Sequence, residues 1–183
     1  MDISLAVLEL VQNSLEANSS LVEIKLTEDT SSIELTVADD GCSVDNHVLG
    51  SLCLPGFSTK GEHRGMGLFE VKSLAEKTGG GLSIEAVSGK GTRVRARFIK
   101  NKFCPPMGNV NLTVRTLMLC GNETEIFYKR GYLERSFGLD TRAMKLGLGS
   151  VPLLSAEVCE WIRDYLDEQT QIIYGGAVDE ITG

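Results

Sequence analysis

The sequence is short of proline and of positive charge, and each shortage excludes a class of protein. It has 4 prolines, 6% aromatic and 42% hydrophobic residues among 183, a composition that excludes collagen-like chains and wholesale disorder. Its 18 basic residues are outnumbered by 25 acidic ones, which gives a net charge of −7. A broad duplex-DNA footprint needs clustered basic surface, so we expect no nucleic-acid partner.

Paired cysteines and long apolar runs are missing as well. The cysteines form no CxxC pair and no metal-ligand spacing, which is typical of reduced thiols; they are Cys42, Cys53, Cys104, Cys120 and Cys159. No stretch approaches the roughly 20 apolar residues that a membrane span requires. The amino terminus lacks the basic and then apolar layout of a signal peptide. We therefore expect a cytoplasmic protein that does not bind a membrane.

Hydrophobic periodicity predicts helices and hairpins in the first hundred residues. Apolar residues recur at helical spacing from Ile3 to about Ala17, and a second helix is expected from Met66 to about Lys77. Strict alternation predicts two hairpins, over residues 21–37 and 82–98. The long polar and glycine-rich stretch 39–65 predicts a lid or binding loop, with a short helix near Asp45–Leu52. Arginines alternate along the last strand, which indicates a solvent face; they are Arg93, Arg95 and Arg97.

A smaller unit is predicted after the adjacent prolines of "NKFCPP", residues 101–106. A helix is expected in "NVNLTVRTLMLC", a hairpin in "EIFYKRGYLERSFGL", and a last helix from about Ala156 to Glu168 with Ser155 as its cap. We thus divide the chain into a domain over residues 1–100, a small α+β extension over 107–170, and a frayed tail over 171–183.

Two short segments have side chains suited to binding a metal ion and a nucleotide base. Glu9 and Asn13 lie one turn apart on the first helix. The amide oxygen of Asn13 is a hard ligand suited to Mg²⁺, and the Glu9 carboxylate could accept a proton from an attacking water. In "ADDGCS", Asp39 follows a strand and could accept a hydrogen bond from an adenine amino group, while Gly41 would let the backbone approach the ring. The alternatives are a solvated helix face and an ordinary Asp-Gly turn.

Two more segments have residues suited to binding phosphate and the edge of a nucleotide base. "FSTKGEHRGMGL", residues 57–68, leads glycines into a helix amino terminus, which favours anionic phosphate, with Lys60 and Arg64 as cations. Its spacing is neither that of a Walker A loop nor that of a Rossmann fingerprint. Thr92 follows Gly91 in the second hairpin and could reach the base through its hydroxyl. A tight turn followed by a β-former is the alternative there.

In this order the four segments resemble the GHKL ATPase superfamily, which includes gyrase, heat-shock chaperone, histidine kinase and mismatch-repair ATPases. The resemblance covers about residues 1–100. It implies a Bergerat fold, an α/β (α+β) two-layer sandwich in which helices pack on one face of a mixed, mostly antiparallel sheet. It also implies that the protein binds ATP and Mg²⁺.

The resemblance assigns roles to individual residues. "ELVQNSLEA" resembles the N box, in which Asn13 would hold magnesium and Glu9 would activate water. Asp39 would bind the adenine amino group, and Ser43 replaces the second glycine of the adenine box, which should stiffen that loop. The remaining residues implied to bind the nucleotide are Gly41, Phe57 of the lid, Gly65, Met66, Gly67 and Leu68 of the second glycine box, and Thr92.

The same resemblance limits what the protein is expected to do. Only two residues precede the first helix, and the only histidines, His47 and His63, lie in or beside the lid. We therefore expect that the chain is not a complete histidine kinase with its own phosphoacceptor domain. The segment that contains "CPPMGNV" resembles the tail of small stand-alone histidine-kinase-like ATP-binding proteins of anaerobic bacteria.

Our leading hypothesis is a signalling regulator that transfers the γ-phosphate of ATP to a partner protein, as the anti-sigma-factor kinases do, or hydrolyses ATP slowly. The partner would be a regulator or a phosphoacceptor, and homodimer formation is left open. The alternative is a non-catalytic module in which ATP binding gates a protein interface. A mismatch-repair-like clamp is less favoured, because the chain is acidic and lacks the large second domain that supplies a phosphate-binding lysine.

Overall fold

The protein is described here by a computed structural model that covers residues 1–42, 66–87, 91–120 and 123–175. Within these ranges the helices are α1 (Ile3–Glu16), α2 (Met66–Lys77), α3 (Val110–Leu119), α4 (Thr141–Leu148) and α5 (Ala156–Ile173). The strands are β1 (Leu21–Glu28), β2 (Ser32–Asp39), β3 (Gly81–Val87), β4 (Gly91–Ile99), β5 (Glu125–Tyr132) and β6 (Arg135–Asp140). The three predicted hairpins are confirmed; the short helix predicted near Asp45–Leu52 lies outside the described residues.

The strands form one six-stranded sheet in the order β3-β4-β2-β1-β5-β6. All neighbours are antiparallel except β1 and β5, which run parallel from the pair Leu21 and Glu125 to the pair Glu28 and Tyr132. The predicted mixed, mostly antiparallel sheet is therefore confirmed. Strands β5 and β6 come from the segment after the prolines and extend the sheet beyond β1, while the division of the chain at residues 100 and 107 stays a prediction.

One face of the sheet is buried under helices because the strands alternate as predicted. Val22, Ile24 and Leu26 of β1 are at most 1% exposed, and the register sets Leu35 and Val37 of β2 beside them. The hydrophobic core is completed by residues from α1, α2, α3 and α5. This arrangement is the two-layer α+β fold that the sequence predicted, with helices covering one side of the sheet.

The other face of the sheet is open and carries charged side chains. Arg95 Nε lies 3.6 Å from Glu34 Oε1, and Arg93 Nη1 lies 3.8 Å from Glu85 Oε2. These arginines are exposed, as their alternation predicted. Such solvent-exposed pairs contribute at most about 1 kcal/mol each to stability.

The carboxy-terminal segment differs from the prediction in two helices. Helix α5 begins after its Ser155 cap and continues beyond the predicted end at Glu168 to Ile173, which is 3% exposed. The first residues assigned to a frayed tail are therefore helical, because Ile173 adds to the core. Helix α4 was not predicted; Asp140, at the end of β6, caps it by accepting a hydrogen bond from the Arg142 N–H.

The sequence predicted reduced cysteines and no membrane-spanning segment. All cysteines in the described ranges are free thiols: Cys42, Cys104, Cys120 and Cys159. Cys53 lies outside those ranges. Of the helices that the structure covers, none combines the length and the apolar character that crossing a bilayer would need.

Candidate functional site

Asp39 and Thr92 lie side by side at one end of the sheet. The register pairs Asp39 with Val22 on one side and with Thr92 on the other. Because Val22 belongs to the buried face, Asp39 and Thr92 point toward the helices and not toward the open face. Both residues are partly exposed, so they stand at the edge of the helix layer, where a ligand could reach them.

Among the described residues, two groups donate hydrogen bonds to the Asp39 carboxylate, one on α1 and one in the turn after β2. The Ser14 hydroxyl of α1 donates to Asp39 Oδ2 at 2.8 Å, and the Gly41 N–H donates to Oδ1 at 3.0 Å. An ionised carboxylate offers about four acceptor positions, so each oxygen keeps capacity for a further donor. The predicted partner of a base amino group is thus fixed in place and still able to accept.

The neighbouring Asp40 has a different environment, which distinguishes the two carboxylates of "ADD". Its side chain accepts hydrogen bonds from the N–H groups of Ser20 and Leu21, each at 2.8 Å, and from the Ser20 hydroxyl. The bond from the Ser20 hydroxyl is the main reason why the pKa of Asp40 is lowered. Asp40 therefore fastens the start of β1, whereas Asp39 faces the helices.

Two glycines are required here by close packing of the protein backbone. A Cβ on Gly41 would lie 2.6 Å from Ser19 Oγ and 2.8 Å from the Ala17 carbonyl oxygen. Gly91 has a φ of +96°, and a Cβ there would lie 1.8 Å from the Asp39 carbonyl oxygen. We expected Gly41 to let the backbone approach an adenine ring. The direction in which a Cβ would point is occupied by residues at the end of α1, and close approach to a ring stays a prediction.

Glu9 contacts the amino-terminal turn of α2. A Cβ on Gly67 would lie 1.9 Å from Glu9 Oε2, so the carboxylate packs directly against this glycine. Burial raises the pKa of Glu9, and the nearby negative charge of Glu70 raises it further. Leu68 is 9% exposed and anchors α2 in the core. The structure therefore brings together two of the predicted site residues, Glu9 and Gly67.

Asn13 lies one turn beyond Glu9 and is exposed. Its side chain makes no hydrogen bond to any residue in the described part of the chain, and its exposed position lets a ligand approach the amide. Within that same part, no group of three His, Cys, Asp or Glu residues is arranged to hold a metal ion. A magnesium ion at Asn13 would therefore take most of its oxygen ligands from water and from substrate phosphates, as Mg²⁺ commonly does.

Several predicted site residues lie outside the described ranges, and their roles stay predictions. They are Ser43, Phe57, Lys60, Arg64 and Gly65. Met66 is the first residue of α2.

One site residue was missed by the sequence reasoning. Ser14 lies on the apolar side of α1 and is 3% exposed, and no role was predicted for it. A buried hydroxyl on an apolar helix face needs a partner, and this requirement could have pointed to the nearby strand end.

A groove elsewhere on the surface contains none of the predicted site residues. It has a volume of about 360 Å³ and lies between α3 and α5, where it is lined by Arg115, Thr116, Leu119, Cys120, Cys159, Glu160 and Arg163. It is therefore an alternative location for a bound nucleotide, against which binding at Asp39 can be tested.

Comparisons with known proteins bear on the family and on the fold. Residues 1–102 match the family described as histidine kinase-, DNA gyrase B- and HSP90-like ATPase. A comparison with curated proteins found no match. The N-terminal domain of a DNA repair protein is similar with a TM-score of 0.57 and 19% identity, over 76% of this chain and 52% of that one. At this identity the likeness concerns the fold alone, and this chain spans about half the length of that structure.

Two histidine kinase structures are similar over a shorter part of the chain. The mycobacterial sensor histidine kinase MprB has a TM-score of 0.42 and 24% identity, over 52% of this chain and 68% of that one. The catalytic domain of the histidine kinase ThkA has a TM-score of 0.43 and 21% identity, over 52% of this chain and 64% of that one.

Proposed function

This chain belongs to the family of histidine kinase-, DNA gyrase B- and HSP90-like ATPases, and from that premise we propose that it is a regulatory protein of cytoplasmic signal transduction. It binds Mg–ATP and either transfers the γ-phosphate to a partner protein or hydrolyses ATP slowly. The observation that carries this proposal is that α1 contacts two of the predicted ligand-binding elements, through Ser14 to Asp39 and through Glu9 to Gly67. Five residues of helix span about 7.5 Å, so both contacts lie within the reach of one nucleotide.

The base end of the proposed site is Asp39 with Thr92. Asp39 faces the helices, and both of its oxygens retain acceptor capacity after their bonds to Ser14 and Gly41. A carboxylate so held favours a base with an exocyclic amino group, which adenine has. The Thr92 hydroxyl can donate or accept at the same edge, because its strand position is directly opposite Asp39.

The phosphate end of the proposed site is α2 with Asn13. The first N–H groups of a helix have no partner within that helix, so the turn that begins at Met66 suits anionic oxygens. The exposed amide of Asn13 fits a magnesium ligand. When bound, the ion would supply positive charge that offsets the charge of the phosphate oxygens.

Glu9 is the proposed general base. Its raised pKa makes the ionised carboxylate a better proton acceptor than an exposed glutamate would be. In the hydrolytic reaction it would accept a proton from water, and in the transfer reaction it would accept one from the hydroxyl of a partner. Its position against Gly67 sets it beside the helix end assigned to the phosphates.

The test uses labelled ATP and a matched pair of proteins. The wild type and Glu9→Gln are each incubated with γ-labelled ATP, alone and with cell extract, and ATP binding is measured by calorimetry. A phosphoprotein or ADP that exceeds the Glu9→Gln level supports the proposal. Tight ATP binding with turnover equal to buffer would favour the non-catalytic ATP-sensing module, and absence of ATP binding would contradict both.

A further inference from the structure

We propose that Ser14 is a positioning residue, which holds the Asp39 carboxylate so that the site prefers a nucleotide base with an exocyclic amino group. The inference rests on the proposed function and deepens it. It concerns base selectivity at the same site and assigns that selectivity to a residue that does not itself touch the base.

The geometry singles out Ser14 among the residues around Asp39. Its side chain is 3% exposed, and its hydroxyl donates to Asp39 Oδ2 at 2.8 Å across the boundary between α1 and β2. The Gly41 N–H occupies the other oxygen at 3.0 Å. Because the two donors come from different elements and bind different oxygens, they fix the carboxylate plane as well as its position.

A fixed and ionised carboxylate can only accept hydrogen bonds. Its free acceptor positions match an amino group on the base and oppose a carbonyl at the same ring position, since two acceptors then face each other. Without the Ser14 hydroxyl, Gly41 is the one remaining donor to this carboxylate among the described residues, and the carboxylate can turn toward water. The site should then lose the part of its affinity that depends on the amino group.

Ser19 provides a matched control in the same region. It is 4% exposed, and its hydroxyl donates to the backbone carbonyl of Ser14 at 2.5 Å and not to a carboxylate. Replacing either serine by cysteine keeps the approximate volume and weakens the donor. The two substitutions therefore make the same chemical change at two buried serines, and only the one at Ser14 removes a hydroxyl donor to Asp39.

The experiment measures dissociation constants of three nucleotides for wild type, Ser14→Cys and Ser19→Cys, with Ser14→Ala as a second variant. The nucleotides are ATP, purine riboside triphosphate, which lacks the amino group, and inosine triphosphate, which carries a carbonyl. We expect that wild type binds ATP at least about tenfold more tightly than inosine triphosphate. Ser14→Cys should weaken ATP binding by about tenfold and change binding of the purine nucleotide by less than about twofold. Ser19→Cys should leave the ratio of the two constants unchanged.

The outcomes separate this inference from the proposed function. If wild type binds ATP and both Ser14 variants keep the wild-type ratio of ATP to purine nucleotide, Ser14 does not position Asp39, while the proposed function stands. An equal loss for both nucleotides would show a merely structural role and would also overturn the inference. A wild type that binds no ATP would overturn the inference and the proposed function together.

Discussion

The substitution Gly67→Ala tests whether the contact between α1 and α2 positions a reacting group. The added Cβ would lie 1.9 Å from Glu9 Oε2, 2.8 Å from its Cδ and 3.3 Å from its Cβ. Ordinary contact begins at 3.4 Å, so the oxygen must move by about 1.5 Å, the difference between 3.4 and 1.9 Å. A misplacement of about 1 Å can cost roughly 100-fold in rate, and we expect a loss of turnover of at least that size.

The same substitution should not destabilise the fold by much. The first atom that it meets is the far end of a flexible side chain, and alanine favours a helix over glycine by up to about 1 kcal/mol. Gly147 in α4 is a matched control, because a Cβ there meets nothing within 4 Å and the residue is also next to a helix end. Thermal melting and steady-state ADP release on wild type, Gly67→Ala and Gly147→Ala form the assay.

The two variants should melt near the wild-type temperature, and only Gly67→Ala should lose turnover. Gly67→Ala that releases ADP at the wild-type rate would refute the reasoning, because Glu9 would then react equally well from a displaced position.

Three further predictions follow from the environments of the acidic residues. Asp39→Asn should weaken ATP binding by about tenfold or more with little change in melting temperature. Asp40→Asn should lower the melting temperature and leave ATP affinity unchanged. The reverse pattern in calorimetry and thermal melting would contradict these assignments. Glu70→Gln removes a charge that raises the pKa of Glu9, so the acid limb of the turnover profile, where Glu9 becomes protonated, should shift to lower pH; an unshifted limb would count against Glu9 as the base. The pKa of Glu9 is raised in the folded state, so its contribution to stability is present below the unfolded-state pKa and is lost as pH rises through the folded-state pKa. Denaturant titrations should therefore show that Glu9→Gln is more stable than wild type at neutral pH and that this advantage vanishes in acid.

Local sequence patterns were enough to predict the described helices and hairpins of the first hundred residues. Helix α1 and strand β1 have strong periodicity because each buries one regular face, as in Val22, Ile24 and Leu26. Helix α4 was missed for the converse reason. It buries only Thr141 among its residues, and Gly147 interrupts it, so no apolar stripe marks it.

Pairings between distant segments could not be predicted in the same way. The parallel contact of β1 with β5 joins Leu21 to Glu125, and nothing in either strand specifies the other. The bond from Ser14 to Asp39 likewise depends on how α1 crosses the end of β2. The sequence could indicate which residue types suit a nucleotide, but their convergence depends on packing that only the fold supplies.

The central claim is that Asp39, Asn13 and the first turn of α2 bind one nucleotide together. A crystal structure of the protein with Mg²⁺ and a non-hydrolysable ATP analogue tests this most directly. We expect the adenine amino group within hydrogen-bonding distance of Asp39 and the metal at the amide oxygen of Asn13. A nucleotide bound in the groove between α3 and α5, with Asp39 free of contact, would contradict the claim.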